Sequence, residues 1–241
     1  MKIGIITDVH NNVVALEQVL QRLESENCDY IVCCGDIIGI GPYPEQTVQR
    51  MMKIPNLITV RGNHDGYLLD GIPDTFPNDE LMEPSETEYH KWEHGQLSES
   101  SVEFLSKLPF EKDISCYNKK ITILHYCMNG ENKYINYSPN PTDDDLMRMF
   151  ANYDSDIILF GHDHGRTIRN INGKWYINVG SLGCPAMDKN IARAGILQID
   201  ENHISVDAID LEYDAQTVVD EIDRINFPSA VEIKMYFFGI R

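Results

Sequence analysis

Five short polar segments of this sequence carry groups that could bind metal ions, and each directly follows an apolar run. They are Asp8-Val9-His10, Gly35-Asp36, Gly62-Asn63-His64-Asp65, His125 alone, and Gly161-His162-Asp163-His164. Because each apolar run has the length of a β-strand, every segment is predicted to lie at the carboxyl end of a strand. Ligands bind at that edge of open α/β sheets, so we expect these side chains to converge on one site.

The spacing within these segments indicates two neighbouring ions. Residues i and i+2 of an extended chain project to the same side, so the pairs at 8/10 and 162/164 could each hold one ion. Asp36 and Asn63 each follow a strand singly, and a carboxylate can bridge two ions where an amide cannot. The donors are Asp, Asn and His without a thiolate, which favours Mn²⁺, Fe, Zn²⁺ or Co²⁺ over Mg²⁺ or Ca²⁺.

Alternating strand and helix patterns predict the elements that position these groups. Residues 2–7, 29–35 and 57–60 are β-prone, and helices are expected after Asn11 or Asn12 and from Pro44. This β-α-β-α-β order favours a mostly parallel sheet with right-handed crossovers. Further strands are predicted at 121–124 and 156–160, with helices at 98–108 and after Thr142.

After about residue 167 the pattern changes to short strands joined by tight turns, at 167–171, 174–179, 194–199 and 204–209. The first two are separated by Asn172-Gly173, a strong hairpin signal. This change predicts a second sheet packed on the first. We expect one domain over 1–241, with a cap or insert at about 66–100 and a C-terminal helix plus aromatic tail at about 212–241.

Composition limits the kinds of partner. The 241 residues include 20 Lys and Arg against 38 Asp and Glu, a net charge of −18. Such a surface repels polyphosphate backbones and anionic membranes within a Debye length of roughly 8–10 Å. We therefore expect neither extended nucleic acid nor a membrane as partner. No run approaches the ~20 apolar residues of a membrane-spanning helix.

The cysteines and the N-terminus indicate the compartment. The six cysteines include no CxxC pair, and the sequence becomes polar too soon after Met1 for a signal peptide. We expect reduced thiols and a cytoplasmic protein.

The motifs D-x-H, G-D, G-N-H-D, a lone His and G-H-x-H, in this order, resemble the calcineurin-like metallophosphoesterase superfamily. Asn178-Val179-Gly180-Ser181-Leu182-Gly183 is similar to that family's N-P-G-S-x-G turn. The resemblance covers nearly the whole chain. It implies a metallophosphoesterase-like α/β fold, a four-layer α-β-β-α sandwich with two mixed β-sheets.

The resemblance also implies a binuclear centre. One metal would be held by Asp8, His10, Asp36 and His164, and the other by Asp36, Asn63, His125 and His162. Asp36 would bridge the ions together with a hydroxide that attacks phosphorus. His64 would protonate the leaving oxygen or stabilise the transition state. Mn²⁺ is the expected metal, with Fe, Zn, Co or Ni as alternatives.

Three departures from the family pattern concern the substrate side. Asn11 stands where the family often has Gly, Tyr126-Cys127-Met128 replaces Gly-Ser or Gly-Thr, and Val179 replaces Pro. None of them removes a ligand. Tyr67, Tyr126 and Arg166 are candidate substrate contacts, although Arg166 could equally pair with an acidic residue.

Other polar residues have two interpretations each. Asp65 and Asp163 could hold neighbouring loops or ligand imidazoles, or lie on the surface. His90 and His94, beside Tyr89 and Trp92, could face the substrate, but surface histidines next to a packed Trp are more common.

The predicted function is hydrolysis of a small phosphodiester or nucleotide polyphosphate, since similar compact members include phosphodiesterases and resemble diadenosine polyphosphate hydrolases. A phosphomonoesterase is an alternative. So is a non-catalytic protein-binding scaffold, as in the retromer subunit of this superfamily. Scaffolds tend to lack the histidine found here at His64. The oligomeric state is not predicted.

Overall fold

The computed structural model describes residues 1–76, 82, 84, 86–129, 133, 134, 138, 140–184 and 190–239. Within these ranges the chain forms ten strands and eight helices. In chain order they are β1 (Lys2–Ile6), α1 (Val13–Ser25), β2 (Tyr30–Cys33), α2 (Pro44–Met51), β3 (Leu57–Thr59), α3 (Asn63–Leu69), α4 (Glu86–His94), α5 (Glu99–Ser106), β4 (Glu111–Cys116), β5 (Lys119–Leu124), α6 (Asp143–Met149), β6 (Ile157–Leu159), β7 (Arg166–Ile171), β8 (Lys174–Val179), β9 (Ile191–Ile199), β10 (Ile204–Glu212), α7 (Ala215–Arg224) and α8 (Ala230–Phe238).

The strands form two mixed five-stranded sheets. The first sheet has the order β10-β9-β1-β2-β3, and the second has the order β4-β5-β6-β8-β7. Strands β1, β2 and β3 are parallel, and β9 pairs antiparallel with β1. In the second sheet β5, β6 and β8 are parallel, with antiparallel strands at both edges. The predicted α/β class with two mixed sheets is confirmed.

Three hydrophobic clusters define four layers. Inward-facing side chains of both sheets, such as Ile5 and Ile123, form one cluster. The outer face of the first sheet packs against α1, α2 and α7, and the outer face of the second packs against α6. Cys33 and Cys34 belong to different clusters because consecutive strand residues point to opposite faces.

Side-chain caps set the starts of the predicted helices α1 and α6. The Asn12 side chain accepts a hydrogen bond from the backbone N–H of Ala15 at 3.0 Å and begins α1. Thr142 and Asp145 form a capping box at α6. The α6 cap therefore follows from local sequence, as predicted.

Two elements differ from the expectations. Strand β4 was not predicted, since its sequence EKDISC is mostly polar and exposed, and it forms a hairpin with β5 through Tyr117 and Asn118. The aromatic tail expected near 235–238 is instead the end of α8, whose buried Ile233 and Phe238 join the outer cluster of the first sheet.

Among the described residues of the expected insert, the end of α3, all of α4 and the start of α5 are helical, whereas residues 70–76, 82, 84 and 95–98 belong to no helix or strand. Residues 77–81, 83 and 85 of that insert, and residues 240 and 241 of the tail, lie outside the described residues. Among the described helices, none combines the length and apolarity needed to span a membrane.

Candidate metal centre

The five predicted ligand segments follow the carboxyl ends of five parallel strands. Asp8, Asp36 and Asn63 come after β1, β2 and β3 of the first sheet, and His125 and His162 come after β5 and β6 of the second. Because the two sheets face each other, these ends meet at one edge of the sandwich. The predicted convergence is therefore observed in the structure.

The first donor group consists of Asp8, His10 and His164. The Nε2 atoms of His10 and His164 lie 2.9 Å apart. Asp8 Oδ1 is 3.9 Å from His10 Nε2 and 3.7 Å from His164 Nε2. All three separations are below the ~4.2 Å that two ligands bonded to one ion at about 2.1 Å can span.

The second donor group consists of Asn63, His125 and His162. Asn63 Oδ1 lies 2.9 Å from His125 Nε2 and 3.0 Å from His162 Nδ1. The two ring nitrogens are themselves 3.3 Å apart. Asp36 Oδ2 is 3.3 Å from His125 Nε2 and 3.8 Å from His10 Nε2, so this carboxylate lies between the two groups.

These donors fit divalent transition-metal ions. Ligands bonded to an ion at about 2.1 Å and at right angles stand about 3 Å apart. The pairs formed by His10 with His164, and by Asn63 with His125, have this separation. The donor set mixes imidazole nitrogen with carboxylate and amide oxygen and contains no thiolate, which suits Mn²⁺, Fe, Zn²⁺ or Co²⁺.

Five of the candidate ligands have a left-handed backbone conformation. Asp8, His10, Asp36, His162 and His164 all have positive φ values between 48° and 76°. The left-handed region costs a residue with a side chain about 1–2 kcal/mol. The fold holds this strain because loops lock together, for example through the backbone N–H groups of residues 9 and 10, which both donate to the carbonyl oxygen of Asp36.

Backbone carbonyls orient two of the imidazoles. Nδ1 of His125 donates to the carbonyl oxygen of Cys34 at 2.8 Å, and Nδ1 of His10 donates to that of Ile38 at 3.3 Å. The opposite nitrogen, Nε2, is thereby the donor atom of each ring toward an ion. The loop after β2 thus supplies both the central carboxylate and the acceptors that orient its neighbours.

Two acidic residues left open by the sequence hold loops. Asp65 Oδ1 accepts from the backbone N–H groups of Ile37 and Ile38 at 3.0 and 3.1 Å. Asp163 Oδ1 accepts from Asn178 Nδ2 at 2.6 Å. Both carboxylates are buried, so the surface interpretation is wrong for them.

Burial and mutual charge shift the ionisation of the ligands. Burial raises the pKa of Asp36 to about 7 and lowers the pKa of both His10 and His162 well below the usual value. Burial also acts to lower the pKa of His125, but the adjacent Asp36 carboxylate raises it to about 10. A cation would stabilise the ionised carboxylates and displace the proton from His125.

His64 lies beside both donor groups. Its backbone N–H donates to Asp36 Oδ1 at 2.9 Å, and its ring meets that of His10 edge-on with centroids 4.9 Å apart. A Cβ atom on Gly39 would come within 2.4 Å of His64 Nδ1, so that nitrogen faces the loop after β2. Nε2 is consequently the nitrogen available to a substrate.

The three predicted substrate contacts have different surroundings. The Tyr67 ring is 5.6 Å from that of His64, and its hydroxyl accepts from Asn63 Nδ2 at 3.5 Å. Tyr126 is fully buried, with its ring 4.7 Å from that of His162. The Arg166 guanidinium forms an ion pair with Asp210 and is therefore engaged within the fold. Substrate contact by each of the three stays a prediction.

Sequence reasoning missed residues that pack around the ligands. Tyr134 stacks on His162 with ring centroids 5.9 Å apart and donates from its hydroxyl to the carbonyl oxygen of Arg61 at 3.2 Å. It belongs to no helix or strand, so no periodicity pointed to it.

The surface interpretation of His90 is wrong, because His90 is fully buried and its Nδ1 atom donates to Glu93. Glu93 itself was not singled out from the sequence.

Comparisons with known proteins agree with this geometry. The model of the calcineurin-like phosphoesterase superfamily domain matches residues 1–202. An uncharacterized protein of Methanocaldococcus jannaschii is 26% identical over 94% of this chain and 93% of its own length. The crystal structure of a metallophosphoesterase from Sphaerobacter thermophilus has a TM-score of 0.76 at 24% identity, and that of a hypothetical protein from Pyrococcus horikoshii OT3 has 0.82 at 18%. In both structures the alignment covers 100% of this chain and 99% of the other.

Proposed function

Because the chain belongs to the calcineurin-like phosphoesterase superfamily, we propose that it hydrolyses a small phosphodiester or nucleotide polyphosphate with two divalent metal ions. The observation that carries this proposal is the position of Asp36 between two nitrogen-rich donor groups. Its Oδ2 atom is 3.3 Å from His125 Nε2 and 3.8 Å from His10 Nε2. A carboxylate in this position can serve both ions of a binuclear site.

The residues divide into two sets of ligands. Asp8, His10, Asp36 and His164 would hold one ion, and Asp36, Asn63, His125 and His162 would hold the other. When bound, two cations would lower the pKa of water at this site and attract the phosphoryl oxygens. Manganese is the proposed metal, with iron, zinc, cobalt or nickel as alternatives.

His64 has a separate role as a proton donor. Its ring contacts that of His10 and its Nδ1 edge lies against Gly39, which leaves Nε2 as the nitrogen for the reaction. We assign to Nε2 the transfer of a proton to the leaving oxygen, a step of general acid catalysis. Tyr67, whose ring contacts that of His64, would border the leaving group.

The charge of the molecule favours a small substrate. With a net charge of −18, the surface repels long polyanions, so attraction to phosphate is confined to the immediate surroundings of bound cations. This argues for a small phosphorylated compound, including a nucleotide, and against extended nucleic acid or an anionic membrane. We further propose a cytoplasmic location, in line with cysteines that are all free.

The experiment is hydrolysis of bis-p-nitrophenyl phosphate with added Mn²⁺. Turnover that disappears on chelation and returns with metal supports the proposal. Faster turnover of p-nitrophenyl phosphate would indicate a phosphomonoesterase instead. Two bound ions without turnover of any ester would indicate a non-catalytic scaffold. A screen of nucleotides and dinucleoside polyphosphates would then define the substrate.

A further inference from the structure

Helix α4 places two buried polar residues behind His64. Glu93 is 1% exposed and His90 is 0% exposed, although both lie in the mostly polar sequence ETEYHKWEH. The rings of His90 and His64 have centroids 5.0 Å apart. A buried carboxylate and a buried imidazole are costly without partners, so their contacts indicate what they do there.

The Glu93 carboxylate joins the segments that surround His64. Its Oε2 atom accepts from Asn11 Nδ2 at 2.6 Å and from the backbone N–H of Gly39 at 2.8 Å. Its Oε1 atom accepts from His90 Nδ1 at 2.6 Å. Asn11 follows the ligand His10, and Gly39 lies against Nδ1 of His64. One side chain of α4 thus fixes the loops after β1 and β2 as well as the ring that contacts His64.

Two ring nitrogens are left without partners between these side chains. In the neutral imidazole, a proton on Nδ1 of His90, donated to Glu93, leaves Nε2 with a lone pair. This Nε2 atom and Nδ1 of His64 are both buried and have no hydrogen-bond partner among the described residues. A donor and an acceptor in adjacent rings that do not bond directly would satisfy each other through one bridging water.

We propose that Glu93 and His90 are positioning residues for His64: Glu93 orients His90, and His90 Nε2 accepts a hydrogen bond from the Nδ1–H group of His64 through one water. The inference rests on the proposed function. It adds a chain of hydrogen bonds that runs from Glu93 through His90 to His64, which we call the relay. In the reaction, one water adds its oxygen to phosphorus, the bond from phosphorus to the leaving oxygen breaks, and that oxygen takes the Nε2 proton of His64. The proton released by the attacking water replaces it through solvent. His64 keeps its Nδ1 proton throughout, held toward His90.

The same residues could be interpreted as a third metal site, since donor atoms of His90, Glu93 and His94 lie within 4.8 Å of one another. The distances favour the relay. The 2.6 Å separation of His90 Nδ1 and Glu93 Oε1 is that of a short charge-assisted hydrogen bond, whereas His94 Nε2 is 3.9 Å from the same oxygen. Both carboxylate oxygens already accept hydrogen bonds.

The kinetic test compares two diesters in the manganese-loaded enzyme. Phenol has a pKa of about 10, like a tyrosine side chain, so phenolate needs a proton to leave, whereas p-nitrophenolate does not. We expect His90→Phe and Glu93→Gln to lower kcat on diphenyl phosphate by about 10²-fold but on bis-p-nitrophenyl phosphate by less than about threefold. The KM values and two equivalents of metal should be retained. His94→Gln is the matched control and should behave as the wild type.

Equal losses on both esters would overturn the relay, because a structural defect does not depend on the leaving group. No loss on either ester would also overturn it. A third equivalent of metal in the wild type that His94→Gln removes would replace the relay with a metal site.

The second measurement does not depend on turnover. Long-range ¹H–¹⁵N spectra of the zinc-loaded protein, recorded at a pH where His64 has released its Nε2 proton, report which nitrogen keeps the remaining proton, and His64→Gln assigns the signal. We expect the proton of the wild type on Nδ1, and a mixture of tautomers in His90→Phe. An unchanged tautomer in His90→Phe overturns the relay. If the wild type shows the expected tautomer but hydrolyses no ester, the proposed function fails while the relay stands.

Discussion

Substitutions of single side chains in the candidate site should have different effects on catalysis and on metal binding. The His64 ring contacts His10, and its backbone N–H donates to Asp36. One of its ring nitrogens lies within 4.8 Å of donor atoms of His10 and Asp36, without the separations of about 3 Å found among the candidate ligands. Asp36, in contrast, lies at the centre of both groups. Substitutions at these two positions therefore separate proton transfer from metal binding.

His64→Ala should lower turnover of diphenyl phosphate, whose phenolate leaving group needs a proton, by about 10²-fold or more while about two equivalents of metal are retained, because it removes a general acid and no ligand. Steady-state kinetics with elemental analysis of the same sample checks this. Loss of metal from the variant would contradict the role assigned to His64.

Asp36→Asn should deplete both ions, because an amide oxygen carries no charge and cannot bridge two cations as a carboxylate does. Elemental analysis after dialysis measures the loss. A variant that keeps two tightly bound ions would show that Asp36 is not shared. Exposed Asp144→Asn, outside the site, is the matched control and should keep its metal.

Metal uptake should release protons from His125. The Asp36 carboxylate, acting against burial, raises the pKa of His125 to about 10, so this imidazole is protonated in the metal-free protein at pH 7 and must lose its proton to bind. Affinity should thus rise as pH increases toward 10 and fall as pH decreases, by about tenfold per pH unit for each proton released.

Calorimetry in two buffers of different ionisation enthalpy counts these protons. The exposed His203→Gln variant should release the same number as the wild type. Uptake without proton release at pH 7 would mean that the Asp36–His125 pair does not form in the metal-free protein.

At the scale of elements, the turn after β8 holds the first ligand loop. The Ser181 hydroxyl and the Gly183 backbone N–H both donate to the carbonyl oxygen of Asp8 at 2.9 Å. A Cβ atom on Gly183 would come within 1.9 Å of the carbonyl oxygen of Val9, so only glycine permits this approach. The motif at residues 178–183 therefore fixes the backbone of Asp8 by hydrogen bonds.

Gly183→Ala should displace this turn and lower metal content together with thermal stability. The displacement follows because the clashing atom is backbone and cannot rotate away. Gly173→Ala is the control, since its Cβ would meet nothing within 4 Å and the substitution adds only the strain of a positive φ. Metal analysis and thermal unfolding of the two variants provide the comparison. Equal metal content in the Gly183→Ala and Gly173→Ala variants would contradict the role of this turn in fixing Asp8.

Local sequence rules predicted the elements with strong signals. Helix α1 with its Asn12 cap, α6 with Thr142, and the hairpin at Asn172-Gly173 follow from capping and turn chemistry. Strand β4 was missed because its exposed edge position does not impose apolar alternation. The pairing of β9 with β1 depends on packing between segments nearly two hundred residues apart, which no local pattern encodes.

In the site, too, residues placed by local sequence could be predicted, and residues placed by packing between distant segments could not. Ligands that directly follow strands could be predicted because strand order and strand ends determine where they meet. Glu93 and His90 could not, since a polar helix such as α4 looks solvent-exposed until the loops after β1 and β2 cover it. Tyr134 lies outside any regular element and was missed for that reason.

At the scale of the whole molecule, a protein with a net charge of −18 brings two carboxylates and four imidazoles together at the edge where its two sheets meet. Burial raises the pKa of Asp36 and lowers the pKa values of His10 and His162, so it favours the neutral forms of these groups. The arrangement becomes favourable when metal ions supply the missing charge. The account therefore depends on two ions that share Asp36.

Anomalous diffraction from a crystal grown with excess Mn²⁺ tests this claim most directly. The account predicts two peaks about 3.5–4 Å apart, both within coordination distance of Asp36. One peak should also be bound by His10 and His164, and the other by Asn63, His125 and His162. No peak, a single peak, or two peaks of which only one contacts Asp36 would contradict it.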